Sequence, residues 1–136
     1  MEDTVFGKII RREIPAEIVY EDDETLAFLD IEPIAPGHTL VIPKKPVRNI
    51  FDVDEETLAA VMRTVRKISP AVRDSVGAKG VHINSNHEPE AGQVVFHLHM
   101  HIIPRIDRNS FVAWPKTSYS ENEAKDIAAR IRKELS

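Results

Sequence analysis

Residues 94–103 constrain this chain more than any other stretch, because they read Val-Val-Phe-His-Leu-His-Met-His-Ile-Ile. An extended backbone sends alternate side chains to opposite faces of a sheet. A strand over 94–103 therefore puts His97, His99 and His101 on one face. Leu98, Met100 and Ile102 take the other, where a core can bury them. Three of the six histidines in the chain fall within these five residues. Any fold must bury one side of this strand and leave room for imidazoles on the other.

Three readings of the histidine row are open. As surface residues on a half-buried strand they have no packing purpose, since an apolar strand needs no imidazoles. As metal ligands they face a spacing problem. Neighbours on one face lie roughly 6.6 Å apart and the outer pair about 13 Å apart, whereas zinc holds nitrogens at ~2.0–2.1 Å. A single ion would need further ligands, and His38 or His82 are the other imidazoles near strands. As a phosphoryl-transfer site they supply an attacker, a group that orients it and an acid, because imidazole titrates close to neutral pH and is nucleophilic when neutral. Ala91-Gly92-Gln93 immediately precedes the row, and its glycine lets backbone N–H groups come close to a phosphate.

The rest of the chain frames that strand. Val5, Phe6, Ile9 and Ile10 have helical spacing over 5–12, with Asp3 or Thr4 as N-cap and Pro15 as the stop. Strands are expected at 18–21 and 25–31 around the turn Asp22-Asp23, at 39–43 after Pro36-Gly37, and at 81–85. Leu58, Val61, Met62, Val65 and Ile68 form the longest amphipathic helix, capped by Asp54 and kinked or ended by Pro70. Ser120 and Glu123 have capping-box spacing ahead of a terminal helix through Leu135. Strand runs on either side of one long helix indicate an α+β fold with a mainly antiparallel sheet in a single domain, 1–136, whose C-terminal segment is 105–136. Helices on one side only would leave an edge and a face uncovered, so a homodimer is expected. The chain has no cysteine, which excludes thiolate nucleophiles and cysteine-bearing zinc sites. A net charge of -4 argues against nucleic-acid binding, and no apolar run is long enough for a bilayer. A cytoplasmic protein is expected, since acids stand where a signal peptide carries bases.

His97-Leu98-His99-Met100-His101-Ile102-Ile103 matches the histidine triad motif, and the chain thereby resembles the HIT superfamily of nucleotide hydrolases and transferases. Residues 8–16, 20–23, 26–31 and 36–44 resemble the N-terminal half of Hint-type and bacterial HIT proteins. Pro89-Glu90-Ala91-Gly92-Gln93 resembles the Fhit branch. The resemblance implies a HIT fold: a five-stranded antiparallel sheet with helices, two protomers forming a continuous sheet. It implies that His99 attacks the α-phosphorus of a purine nucleotide conjugate, a phosphoramidate or dinucleoside polyphosphate, to form a nucleotidyl-histidine. By the same resemblance His101 contacts the phosphate or leaving group, and His97 and His38 hold the site. Asp30 binds the ribose, Phe6, Ile9, Phe28 and Ile31 enclose the base, and Asn86, Gly92, Gln93 and Val94 line the phosphate side. His82 and His87 receive no catalytic role. Many bacterial relatives carry a structural zinc. Here Thr4, Gly7 and Pro46 replace three of its ligands and only His97 remains, so no zinc is expected. No cofactor is required, though magnesium can accompany a polyphosphate substrate. Val94 stands where Hint-type members have a phosphate-binding serine, and it offers only its backbone N–H. A nucleotide-binding regulator with incidental hydrolysis, or a metal-dependent phosphohydrolase, would use many of the same residues.

Overall fold

The computed structural model describes residues 2–136. Its strands are β1 (Ile18–Glu21), β2 (Thr25–Leu29), β3 (Thr39–Pro43), β4 (Gly80–Asn84) and β5 (Met100–Arg105), and its helices α1 (Val5–Ile10), α2 (Glu55–Ser75) and α3 (Glu123–Leu135). The sheet order is β1-β2-β3-β5-β4 and every neighbouring pair is antiparallel. The fold is the expected α+β arrangement with five antiparallel strands.

Local chemistry accounts for the boundaries. Thr4 caps α1, its hydroxyl accepting from the Gly7 N–H at 3.2 Å. The helix ends two residues before the expected limit of 12, because Arg12 turns left-handed (φ 62°). Arg12 N–H then donates to the Ile9 carbonyl and Glu13 N–H to that of Lys8, the pair of bonds that closes a Schellman cap. At the β1–β2 turn Asp22 Oδ1 accepts from the N–H groups of Glu24 and Thr25 and from the Thr25 hydroxyl, an aspartate holding its own turn.

Pro70 does not end α2, which runs on to Ser75. The proline is exposed, so the Arg66 carbonyl that loses its donor can be met by water. One residue earlier, the Ser69 hydroxyl donates to the Val65 carbonyl at 2.6 Å. Asp54 caps the helix as expected, accepting from Thr57 N–H.

Helices cover both faces of the sheet, not one. Val61, Val65, Ile68 and Val72 of α2 pack on Ala27, Val41 and Ile102, with Met100 against the same cluster. On the opposite face Phe6 and Ile9 of α1 pack with Leu26, Phe28, Leu40 and Ile42. Cross-strand partners share a face, and His101 pairs with Leu40. The histidine side of β5 therefore lies on the α1 face.

Beyond Arg105 the chain leaves this core. No residue of α3 is buried, and Val112, Trp114 and Tyr119 are exposed. The Ser120–Glu123 box is half formed: Glu123 Oε1 accepts from Ser120 N–H at 3.0 Å, but the N-cap is Asn122 and it makes no side-chain bond. No helix among the described residues is long and apolar enough to cross a membrane.

Candidate active site

Sequence alternation places the histidine row on a strand over 94–103; the ladder forms only from Met100 onward. Continuing the β3–β5 register past Val41↔Met100 would set Pro43 opposite Leu98. Proline has no N–H for that ladder. Leu98 N–H turns instead to the Val47 carbonyl at 2.8 Å, and the His97 ring takes the Pro43 carbonyl at 2.7 Å through Nε2. The alternation survives in the side chains even so. Leu98 is buried and Met100 and Ile102 meet the α2 cluster, while His99 and His101 open on the other side.

Hydrogen bonds set the tautomers of the four rings. His97 Nε2 and His99 Nδ1 both face carbonyl oxygens, Pro43 O and His97 O, each at 2.7 Å. A carbonyl only accepts, so each nitrogen carries a proton. His99 Nε2 is left with a free lone pair in the neutral ring. A second chain runs through His38. Ile34 N–H donates to His38 Nδ1 at 3.1 Å, so His38 carries its proton on Nε2 and donates to His101 Nδ1 at 2.8 Å. His101 must then present Nε2–H as a donor. The His99 and His101 ring centroids are 5.0 Å apart, so a bare nitrogen and an N–H donor lie side by side.

Electrostatics keep these rings neutral. Burial pushes the His101 pKa down to about 4, helped by the neighbouring His99 and His38 rings and opposed by Asp30. Burial also lowers His99, against the His97 carbonyl and Asp30, which favour its charged form. His97 and His38 are lowered by burial too, His97 against the Pro43 carbonyl and His38 against Asp30.

Beside the two rings opens a cavity of about 430 Å³. Phe6, Ile9, Phe28, Asp30, Ile31, Asn86, Gly92, Val94, His99 and His101 line it, ten of the residues anticipated for base, ribose and phosphate. Phe6 and Phe28 meet edge to face at 5.4 Å, and Phe6 meets the His99 ring at 5.0 Å. Asp30 Oδ1 accepts from Glu32 N–H at 2.9 Å, leaving Oδ2 within 3.8 Å of His38 Nε2. Val94 is 82% exposed at the mouth.

His38 and His97 stand behind His101 and His99 and do not line the cavity. The structure departs from the anticipated set at two residues. Gln93 is buried with its side chain directed away from the cavity, into bonds with Asn49, Glu88, Arg48 and Val95. Gly92 lines the cavity but its N–H is spent on the Pro89 carbonyl, and that of Gln93 on Glu88. Gly92 contributes shape: its φ is 89°, and a Cβ there would lie 3.3 Å from Asn86 Nδ2. Sequence reasoning missed Val5, Ile14, Ala16, Leu40 and Val95 in the lining. Of these Leu40 and Val95 carried a signal in strand alternation, Val95 being in phase with the histidine row, and Val5 one in the helical spacing of α1.

Two metal possibilities fail on donor chemistry. Asp30, His38 and His101 place ligand atoms within 4.8 Å of one another. His38 Nδ1 already accepts the Ile34 N–H, so a metal at Nε2 would demand an imidazolate or the loss of that bond. Thr4, Gly7, Pro46 and His97 do line one cleft, but the first three offer neither thiolate nor imidazole and His97 Nε2 is engaged by Pro43. These residues do not fit a structural zinc.

The HIT domain family model matches residues 11–108. The protein named Protein hit from Bacillus subtilis is 41% identical over 138 residues, covering 98% of this chain and 95% of that one. A crystal structure from Streptococcus mutans superposes with a TM-score of 0.92 at 37% identity, over 100% of this chain and 87% of that one. The crystal structure of a histidine triad nucleotide-binding protein from Candida albicans gives 0.85 at 29% identity, over 98% and 97%. With the family model spanning most of the chain and the triad rings set as described, this chain belongs to the HIT family.

Proposed function

We propose that the protein is a nucleotidyl hydrolase or transferase. It acts on the α-phosphate of purine nucleotide conjugates, phosphoramidates or dinucleoside polyphosphates, through a nucleotidyl-histidine on His99. The observation that carries this reading is the bare Nε2 of His99 beside the Nε2–H of His101, both open to an apolar cavity. Phe6, Ile9, Phe28 and Ile31 take the base and Asp30 Oδ2 the ribose hydroxyls. His99 Nε2 forms a bond to phosphorus as the bond to the leaving group breaks, the His101 Nε2–H hydrogen-bonds the departing atom, and that atom takes its proton from water. The His97 carbonyl stabilises the positive charge that His99 gains, through Nδ1–H. Asn86 and the Val94 backbone face the phosphoryl oxygens. Water then attacks phosphorus as the P–N bond breaks, its proton passes to solvent while the His101 Nε2–H still holds a phosphoryl oxygen, and the nucleoside monophosphate leaves.

No metal cofactor enters this scheme, and magnesium arrives only with a polyphosphate substrate. The reading includes a cytoplasmic homodimer: β4 is the last strand of the sheet, and exposed Met62 and Ile83 flank a groove along it, suited to a β4–β4 continuation that light scattering would detect as a doubled mass. The decisive experiment is trapping. A substrate labelled at the α-phosphorus should leave acid-labile, base-stable label on the wild type and on His82→Ala, and none on His99→Ala. Equal labelling of both variants refutes the covalent mechanism. Turnover at background with tight AMP binding would instead indicate a regulator; activity on a phosphoramidate that a chelator abolishes and one metal restores would indicate a metal-dependent hydrolase.

A further inference from the structure

The loop carrying Asn86 and Gly92 is held from behind by side chains the reaction does not touch. Gln93 is 4% exposed and Asn49 1%. Gln93 Oε1 accepts from Asn49 Nδ2 at 3.0 Å and from Glu88 N–H at 2.8 Å. Its Nε2 donates to the Arg48 carbonyl at 2.8 Å and the Val95 carbonyl at 3.2 Å. Every hydrogen bond a carboxamide ordinarily makes is thus satisfied within the fold. Asn49 Nδ2 also donates to Glu88 Oε2, and its Oδ1 accepts from Phe51 N–H at 3.0 Å. Arg48 holds the same carboxylate through Nε at 2.8 Å and Nη2 at 3.2 Å.

The backbone they hold is strained. Glu88 has φ 82° and ψ 155°, a region populated essentially by glycine and retained by other residues only when their surroundings over-determine it. It stands two residues from Asn86 and four from Gly92. The Arg48–Glu88 pair is solvent-exposed and contributes little by itself; the buried amides set the geometry, because breaking one leaves a polar group without a partner.

We propose that Asn49, Glu88 and Gln93 are positioning residues that fix the 86–94 loop against the α-phosphate, an inference that rests on the nucleotidyl-transfer reading above. They act through Asn86 and the Val94 backbone; none of the three lines the cavity, and their side chains meet its wall only at the Val95 carbonyl. Disturbing them should slow the chemical step while AMP still binds through the apolar pocket. A displacement of about 1 Å is enough to cost on the order of 100-fold in rate.

The test compares single-turnover labelling of His99 by adenosine 5′-phosphoramidate with the Kd for AMP. Asn49→Asp sets a carboxylate against Glu88 and Gln93 Oε1, and its labelling rate should fall about 100-fold with a far smaller change in Kd. Adding Glu88→Gln to that variant supplies a donor to the new carboxylate and should recover part of the rate, the contact with Gln93 Oε1 being left unrelieved. Glu88→Gly folds readily, since glycine accepts this φ, and should also lose rate because the carboxylate anchor is gone. Wild-type rates in Asn49→Asp or Glu88→Gly overturn the inference. So does a loss that the double variant fails to recover even in part, or an AMP affinity that falls in step with the rate. Absence of label on the wild type refutes nucleotidyl transfer itself, and that result is visible before any variant is made.

Discussion

Acidification should destabilise this protein through His101 in a window that the structure defines. The ring is pushed by burial from an ordinary 6.5 down to about 4. Above pH 6.5 neither the folded nor the unfolded chain is protonated there, and the stability is fully present. As pH falls from 6.5 towards 4 the unfolded chain takes up a proton that the folded chain refuses, so stability declines across the window and levels off below it. At 1.36 kcal/mol per pH unit the loss assigned to this ring is at most about 3 kcal/mol, reduced by the solvent that reaches it through the cavity. His38, His97 and His99 are lowered in the same sense, so the wild-type slope alone does not isolate His101. His101→Asn, which cannot titrate, does. Urea unfolding of both proteins between pH 4 and 7.5 should show the stability of the wild type relative to the variant falling by up to about 3 kcal/mol over the window. A difference that stays constant with pH would refute the assignment of a neutral, desolvated His101.

Two substitutions probe the surrounding frame. Phe28→Ala removes a ring that is 3% exposed and packed edge to face on Phe6; it should cost about 3–5 kcal/mol in urea unfolding and weaken AMP binding, and a cost below about 1 kcal/mol would show that the cavity wall is not part of the core. Pro70→Ala restores a donor to the middle of α2 at an exposed position and should raise stability by about 1–3 kcal/mol, visible as a higher Tm, whereas a fall would reveal packing that the proline provides.

Much of this was legible in the residues. The period of two in the histidine row assigned its faces correctly, because the core side of a strand is set by burial and does not need an unbroken ladder. The length of the strand was not legible, since the break comes from Pro43 on a different strand. Likewise the lining residues Phe6, Ile9 and Phe28 announced themselves as apolar positions of short elements. Gln93 read as a phosphate contact because it neighbours Gly92, and only the position of Asn49 shows that it turns inward. The persistence of α2 past Pro70 depends on solvent access to one carbonyl, which no local pattern encodes. The division of labour among the histidines was the least visible part. It depends on single acceptors, the carbonyls of His97 and Pro43, and on one donor, the N–H of Ile34, all placed by tertiary structure.

Nucleotidyl transfer in this protein depends on the free Nε2 of His99. Rapid quenching of the wild type with an adenosine 5′-phosphoramidate, followed by peptide mapping that identifies the modified atom, tests this directly. The predicted result is an adenylyl group bonded to Nε2 of His99, formed at least as fast as product appears. An adduct on Nδ1 or on another residue, or turnover without any adduct, would contradict it.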